Sequence, residues 1–409
     1  MQIIERMESM LTLEFITNTQ CNLGCYYCFA CLKKENDVIS LENSKKAIDL
    51  LYEFSKIKND KEIFIKIYGG EPLLFKERIL EINQYIKEQN EIYKDIKCEI
   101  AIITNATELT KEFLDELKNI NDKVSFTVSL EYSEEAHNKI RFYKKDKSGS
   151  FNDLIKNISY LESFQGHKRV HVQTVLSPDL LKNVDEFINF MEKYKELFQF
   201  DLVPMFDYTF VGKEHLIKNM KKLFDYYLEC FDKNDYYHVG TFQQLRSLFS
   251  NFYKDKNNSH CHAGTNQITV MPNGDVYPCS LFFHDKITEY KYGSLESDSF
   301  EKIFKKRNSL EPLFKQLTKK CSQCNSCEKN NDFGCLGQCI AHKLKKNKGK
   351  NIESVCEYNI EFGKQTNRFL TELENKENLI KRANYFSSNK YEEIHKDFIK
   401  FLERGGNVE

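Results

Sequence analysis

The 409-residue sequence has no tryptophan and no surplus of either charge, with 60 lysines and arginines against 61 aspartates and glutamates. Duplex-binding proteins draw most of their affinity from phosphate neutralisation and show a basic excess or stripe, so a nucleic-acid partner is not expected. No run approaches the ~20 consecutive apolar residues of a membrane helix. The first ten residues carry Glu5, Arg6 and Glu8 where a secretory signal is apolar, so a cytoplasmic protein without a membrane partner is expected. Internal repeats and low-complexity linkers are also missing. The chain does have a 41% hydrophobic share, enough for a sizeable core spread over roughly two or three modules. It also has 14 cysteines. A long chain in a reducing compartment neither needs nor keeps a disulfide scaffold, and the clustering of these cysteines points to metal instead. Four lie within Cys21–Cys31 and six within Cys321–Cys356, with Cys261 and Cys279 between. Cys98 and Cys230 stand alone and read as small buried side chains.

From residue 11 to about 204, β-type runs alternate with amphipathic stretches, the pattern of repeated βα units around a parallel sheet. The expected strands are Leu11–Thr19, Glu62–Tyr68, Glu99–Thr104, Lys123–Leu130, Arg169–Leu176 and Phe198–Pro204. Apolar residues at three- and four-residue spacing predict helices over Ser44–Lys56, Lys76–Gln89, Lys111–Ile120, Phe151–Phe164 and Asn183–Tyr194. The expected fold class is α/β, a partial (β/α)6 TIM-like barrel followed by a cysteine-rich domain. Its parts are the barrel at 1–204, a helical connector at 205–255, the cysteine-rich domain at 256–360 and a helical tail at 361–409. The tail puts Phe362, Phe369, Leu370 and Leu373 on one face, and the basic run Lys343–Lys350 reads as solvated surface.

In such a fold ligands sit at the C-terminal ends of the strands. The first strand runs into Cys21-Asn-Leu-Gly-Cys25-Tyr-Tyr-Cys28. Three thiolates on one loop suit three irons of a four-iron cluster and leave the fourth iron open. Zinc is the alternative, with Cys31 available as a fourth ligand, but structural zinc sites usually pair two knuckles. The second strand ends in Gly69-Gly70-Glu71-Pro72, where glycines admit a ligand to the backbone and a carboxylate can accept from an ammonium group. Asn105 ends the third strand, and Ser129-Leu130-Glu131 the fourth, with Arg141 beyond. Serine and asparagine suit ribose oxygens, and arginine suits a carboxylate.

Together these motifs resemble the radical S-adenosylmethionine superfamily over about residues 11–204. The resemblance implies a [4Fe-4S] cluster on Cys21, Cys25 and Cys28 whose free iron chelates S-adenosylmethionine. Reductive cleavage then gives methionine and a 5′-deoxyadenosyl radical that abstracts hydrogen from a substrate. It further implies cofactor contacts from Gly69, from Gly70 and Glu71 toward the methionine ammonium, from Arg141 toward its carboxylate, from Ser129 and Asn105 as polar contacts, and from Tyr27 at the adenine edge.

The second cysteine region opens with Cys261-His-Ala-Gly264 and Pro272-Asn-Gly274-Asp before Cys279, a tight-hairpin signal that brings Cys261 and Cys279 together. Downstream stand Cys321, Cys324, Cys327, Cys335, Cys339 and Cys356. This region is similar to the SPASM extension of radical enzymes, which implies two auxiliary iron–sulfur clusters. Its spacing departs from the family pattern between Cys324 and Cys335. By resemblance Cys335 and Cys356 join two of Cys321, Cys324 and Cys327 at the distal cluster, and Cys261, Cys279 and Cys339 hold the proximal one. The fourth proximal position is then either Cys327 or an open iron.

SPASM-containing relatives mostly modify peptides or proteins. The resemblance therefore implies a maturase of a ribosomally made peptide, forming a thioether and fed by a flavodoxin- or ferredoxin-type electron donor. The runner-up is an anaerobic sulfatase-maturating enzyme that makes formylglycine from Cys or Ser. Those activases resemble one another in an acid directly after the second proximal cysteine, where this chain has Ser280, with Asp285 nearby. A third alternative is a non-enzymatic zinc or electron-transfer protein.

Overall fold

A computed structural model describes residues 10–28, 37–164, 170–204, 213–232, 261–318 and 339–347, with isolated positions 361, 364, 365 and 368. Cys31, Cys321, Cys324, Cys327, Cys335, Cys356 and most of the expected tail lie outside the described residues. The strands are β1 (Leu11–Ile16), β2 (Glu62–Tyr68), β3 (Lys97–Thr104), β4 (Ser125–Ser129), β5 (Val170–Leu176), β6 (Phe198–Pro204), β7 (Gln267–Val270), β8 (Asp275–Tyr277) and β9 (Gly293–Ser294). The chain divides into two compact units, one comprising Ser9–Gln173 and His262–Gln316, the other Thr174–Cys261 and Leu317–Glu409 with Met1–Glu8.

In the first unit the sheet order is β5-β4-β3-β2-β1-β7-β8-β9. β1 to β5 pair in parallel, the register running Leu11 with Ile63 and Glu62 with Lys97. β7 joins β1 in parallel and then turns back antiparallel into β8. The expected hairpin is present. Met271 and Asp275 close it by a 2.9 Å bond, and Gly274 takes a φ of 78°, where a side chain would be strained. β2 shows how the sheet is held: Ile63, Ile65 and Ile67 are fully buried while the alternate residues are half-exposed. Burial of each such isoleucine stabilises the fold by about 1.5–3 kcal/mol.

The helix expected over Ser44–Lys56 extends to Leu41–Lys58. Ser40 caps its start by accepting from the Asn43 backbone, and Asn59 ends it in the left-handed region at φ 56°. Helices Lys76–Ile92, Lys111–Ile120 and Phe151–Phe164 follow β2, β3 and β4. A short helix, Glu134–Ile140, capped by Ser133, stands between β4 and Phe151 where periodicity is too brief to read. β1 is shorter than expected: residues 17–19 leave the sheet, Thr17 donating to the Tyr68 carbonyl and Asn18 bridging to Val38.

The second unit contains the end of β5 with β6 as its neighbour, helices Pro178–Lys182, Val184–Tyr194 and Lys213–Asp232, and helix Ile340–Asn347. Cys230 is buried there, and Cys98, on β3 of the first unit, is half-buried. Among the described residues no helix is long and apolar enough to cross a membrane.

Candidate active site

Parallel pairing places the ends of β1, β2, β3 and β4 along one edge of the sheet, and the loops leaving them converge. The loop after β1 carries Cys21, Cys25 and Cys28, all free thiols. It is pinned by Gly24 donating to the Phe142 carbonyl at 2.9 Å and by Leu23 N–H at 3.4 Å from Cys21 Sγ. Burial pushes the Cys21 thiol up to about 12 and raises Cys25 as well. A bound metal reverses this, because coordination deprotonates a thiol outright. Among the described residues no three His, Cys, Asp or Glu side chains converge on a single metal ion.

Gly69 and Gly70 lie flat against that loop. Gly70 donates to the Asn18 carbonyl at 2.9 Å and Glu71 to the Gln20 carbonyl at 2.7 Å. A Cβ on Gly70 would stand 1.9 Å from the Gln20 carbonyl oxygen, and one on Gly69 would stand 2.4 Å from that of Asn18. The paired glycines thus serve the packing of the cysteine loop as well as any ligand.

Glu71 is placed inward. Its side chain is 1% exposed. It accepts from Thr104 Oγ1 at 2.6 Å, Asn105 N–H at 2.7 Å and Leu73 N–H at 3.0 Å. Burial pushes its carboxyl up to about 7, against the pull of these three donors. This knot ties the end of β2 to that of β3. It leaves Oε2 with a single protein donor, so any contact with an ammonium group falls to that oxygen. Asn105 donates to Asn22 Oδ1 at 3.0 Å and stands 3.9 Å from Cys21 Sγ. Ser129 is half-buried at the end of β4.

Arg141 has a partner that the sequence did not assign. Its Nε donates to Glu131 Oε1 at 2.8 Å, its Nη1 stands 4.0 Å from Cys25 Sγ, and its guanidinium lies 5.5 Å from the Tyr27 ring centre. The Tyr27 hydroxyl donates to the same Glu131 oxygen. Burial works against the Arg141 charge, but Tyr27, Glu131 and Cys25 outweigh it and hold the guanidinium above its ordinary value. His137 braces the pair. Its Nδ1 accepts from the Glu131 backbone at 3.4 Å, its Nε2 meets Ser150 Oγ at 3.1 Å, and Ser150 donates to the Arg141 carbonyl at 2.6 Å. Burial, then the Arg141 charge, hold this imidazole well below 6.5, so it is neutral with its proton on Nε2.

Two features fit this edge to a cofactor bearing cationic and hydroxyl groups. Glu131 is fully buried, and its Oε2 has no protein partner. The three thiols share one loop beside it. Glu131 directly follows the strand-end pair Ser129-Leu130, and that position was its one sequence signal.

Further along the first unit Cys279 caps the helix Ser280–His284, its Sγ accepting from Leu281 N–H at 3.4 Å. Cys261 and Cys339 are half-buried thiols of the second unit.

Comparison with known proteins agrees with this architecture. Residues 15–195 match the Radical SAM superfamily and residues 261–328 match SPASM, an iron–sulfur cluster-binding domain. The chain thus carries a radical SAM domain, with the partial barrel fold, followed by a SPASM domain. It is therefore an enzyme whose cofactors are S-adenosylmethionine, a [4Fe-4S] cluster and auxiliary iron–sulfur clusters, which sets aside the non-enzymatic alternative. It is 24% identical over 337 residues to the cysteine-type anaerobic sulfatase-maturating enzyme of Clostridium novyi (strain NT), covering 78% of this chain and 86% of that one. It is 27% identical over 290 residues to the antilisterial bacteriocin subtilosin biosynthesis protein AlbA of Bacillus subtilis (strain 168), covering 70% of this chain but 57% of AlbA. The solved structure of native anSMEcpe with bound AdoMet shares the fold at a TM-score of 0.68 and 18% identity, covering 88% of this chain and 98% of that one.

Proposed function

We propose that this enzyme is a maturase of a ribosomally made peptide that joins a cysteine sulfur to a backbone or side-chain carbon. The observation that carries the reading is the residue after Cys279. It is Ser280 and not an acid, and its hydroxyl lies 2.9 Å from that of Tyr68. A substrate thiol held as thiolate by a metal needs no protein base, and sulfur–carbon bond formation suits such a site. The similarity to AlbA, a bacteriocin biosynthesis protein, supports the peptide-maturase part of the reading.

In this reading Cys21, Cys25 and Cys28 hold the radical cluster. Gly69, Gly70, Glu71, Asn105, Ser129, Arg141 and Tyr27 surround S-adenosylmethionine. Cys261, Cys279 and Cys339 serve the proximal auxiliary cluster, and Cys335, Cys356 and two of Cys321, Cys324 and Cys327 the distal one. When bound, the cluster and S-adenosylmethionine supply a carbon-centred radical that abstracts hydrogen. The chain's own contribution is to keep Arg141 charged through Glu131, to shape the cysteine loop through Gly69 and Gly70, and to shield the edge from water. The electron donor is of flavodoxin or ferredoxin type, and the functional parts of the chain meet at about residues 204, 255 and 360.

A second reading, formylglycine formation, is favoured by one contact and one coverage. The Glu14 carboxylate stands 3.4 Å from the Ser280 backbone nitrogen, and the match spans 86% of the Clostridium novyi enzyme. Mass spectrometry of a cysteine-containing peptide after anaerobic turnover separates the two. A thioether keeps the sulfur and loses two hydrogens, whereas formylglycine loses the sulfur and gains a carbonyl oxygen. A product without sulfur sinks the first reading.

A further inference from the structure

Beyond Arg141 the chain turns back on itself in a small hairpin, Phe142 to Gly149, that none of the cofactor contacts uses. Tyr143 N–H donates to the Ser148 carbonyl and Lys147 N–H to the Tyr143 carbonyl, each at 2.9 Å. The first arm is bonded edge to edge to the loop that carries the three thiols: Gly24 donates to the Phe142 carbonyl and Lys144 to the Asn22 carbonyl, both at 2.9 Å. The Phe142 ring lies over Gly24, where a Cβ would stand 2.8 Å from it. The hairpin therefore covers the cysteine loop along Asn22–Gly24, between Cys21 and Cys25.

The tip of this hairpin is exposed and basic. Lys144, Lys145 and Lys147 all face solvent. Lys147 Nζ stands 4.5 Å from the Phe142 ring centre and Lys145 Nζ 5.1 Å from that of Tyr143, so the rings that lean on the cysteine loop also hold two ammonium groups in place. The acids beside them are engaged. Asp146 accepts from Ser148 N–H at 3.0 Å and from its hydroxyl at 2.6 Å and stands 3.9 Å from Lys145, while Asp153 accepts from the Tyr143 hydroxyl at 2.6 Å. Lys147 takes a φ of 63°, a conformation that suits glycine or asparagine, so the turn by itself gives no reason for a lysine there. With 60 basic against 61 acidic residues in the whole chain, the tip is a local excess and not a general one. On the cysteine loop itself Tyr26 is 57% exposed. An exposed aromatic and three lysines thus lie on two loops bonded to each other, at the point where the thiols come nearest to the hairpin.

We propose that the Phe142–Gly149 hairpin, with Lys144, Lys145 and Lys147 at its tip and Tyr26 beside it, is the docking surface for an acidic one-electron carrier protein that reduces the cluster on the Cys21 loop. The proposal rests on the donor reading above and names where that donor sits. The carrier loses one electron and the cluster gains it, with no bond or proton exchanged at the surface. Charges at the rim of such a contact act mainly on the rate of encounter and make it sensitive to salt.

The test uses anaerobically reconstituted enzyme with S-adenosylmethionine, reduced either by a photoreduced flavodoxin or ferredoxin or by dithionite, a small reductant that needs no docking surface. Carrier affinity is read by calorimetry and electron delivery by the rate of 5′-deoxyadenosine formation. A variant combining Lys144→Glu, Lys145→Glu and Lys147→Glu loses about tenfold in carrier affinity and carrier-driven rate at low salt, while its iron content and dithionite-driven rate are unchanged. Added salt slows the unaltered enzyme with the carrier and narrows the gap between the two proteins. The same change of charge at Lys302, Lys305 and Lys306, exposed on the helix Phe300–Thr318 that packs by Phe304 on Phe54, leaves the carrier-driven rate near that of the unaltered enzyme. If the triple variant loses iron, the milder Lys144→Gln with Lys145→Gln is measured in its place and is expected to lose about threefold. If the carrier reduces the unaltered enzyme and the hairpin variant equally fast, or the control variant slows as much, the docking surface is overturned and the donor reading stands. If neither carrier reduces the unaltered enzyme while dithionite does, both fall.

Discussion

Replacing Arg141 with Met keeps the length and apolar stem of the side chain and removes its charge. The structure makes this more than the loss of a cofactor contact. Glu131 is fully buried, its Oε2 lacks a partner, and without Arg141 its Oε1 keeps only the Tyr27 hydroxyl. Breaking a buried pair by removing one partner leaves an uncompensated charge and costs about 3–5 kcal/mol. Arg141→Met is therefore expected to lower unfolding stability by about that much, read anaerobically from the shift in urea midpoint at unchanged slope. Changing Glu131→Gln alongside it removes the stranded charge. The double variant should recover more than half of the loss, giving a coupling of about 2 kcal/mol between the two sites. If Arg141→Met destabilises by under about 1 kcal/mol, or the double variant is worse than the single, the pair is not a buried ion pair of this kind and the argument fails.

Three further outcomes are expected. Gly70→Ala places a methyl group against the Gln20 carbonyl at 1.9 Å and should displace the cysteine loop, so iron retention at the radical cluster should drop on size-exclusion chromatography. An unchanged iron content would show that the loop yields easily. His137 is held neutral well below 6.5, so below that pH the unfolded chain binds a proton that the folded one refuses, and stability falls as pH drops from neutral. The advantage of the unaltered protein over His137→Gln should shrink by up to about 1.4 kcal/mol per pH unit in that range, whereas a constant difference would contradict the neutral assignment. Glu71, raised to about 7, acts in the opposite sense, its contribution fading as pH rises through that value, and it is common to both proteins. Protein purified anaerobically should be brown and carry about 12 irons if three four-iron clusters are present, and Cys327→Ala should leave the proximal cluster's spectrum unchanged if its fourth iron is open. Four cysteine sulfurs around that cluster, with Cys327 among them, would move weight toward formylglycine formation.

The parts of this molecule legible in sequence were those fixed by local rules. The isoleucines of β2 alternate at the strand period, Pro272-Asn-Gly-Asp specifies its hairpin, and the Cys21 loop carries its spacing on its face. The parts that were not legible depend on partners far away in the chain. Glu14 sits between Leu13 and Phe15 in a mostly apolar strand, and its partner Thr269 is 255 residues on, so nothing local explains a carboxylate there. Glu71 reads as a carboxylate offered outward, yet its bonds to Thr104 and Asn105 draw it into the fold, because the end of β3 presents two donors that only tertiary structure brings near. Arg141 and Glu131 flank a helix too short for periodicity to show, which hid their pairing.

The central claim is that the Cys21 loop and the edge around Glu131 and Arg141 cleave S-adenosylmethionine reductively. Anaerobic incubation of the reconstituted enzyme with S-adenosylmethionine and dithionite, analysed by liquid chromatography with mass spectrometry, measures this directly. The account predicts 5′-deoxyadenosine from the unaltered enzyme and none from the variant with Cys21, Cys25 and Cys28 all replaced by Ala, which should still hold part of its iron in the SPASM domain. Continued 5′-deoxyadenosine formation by that triple variant would contradict the account.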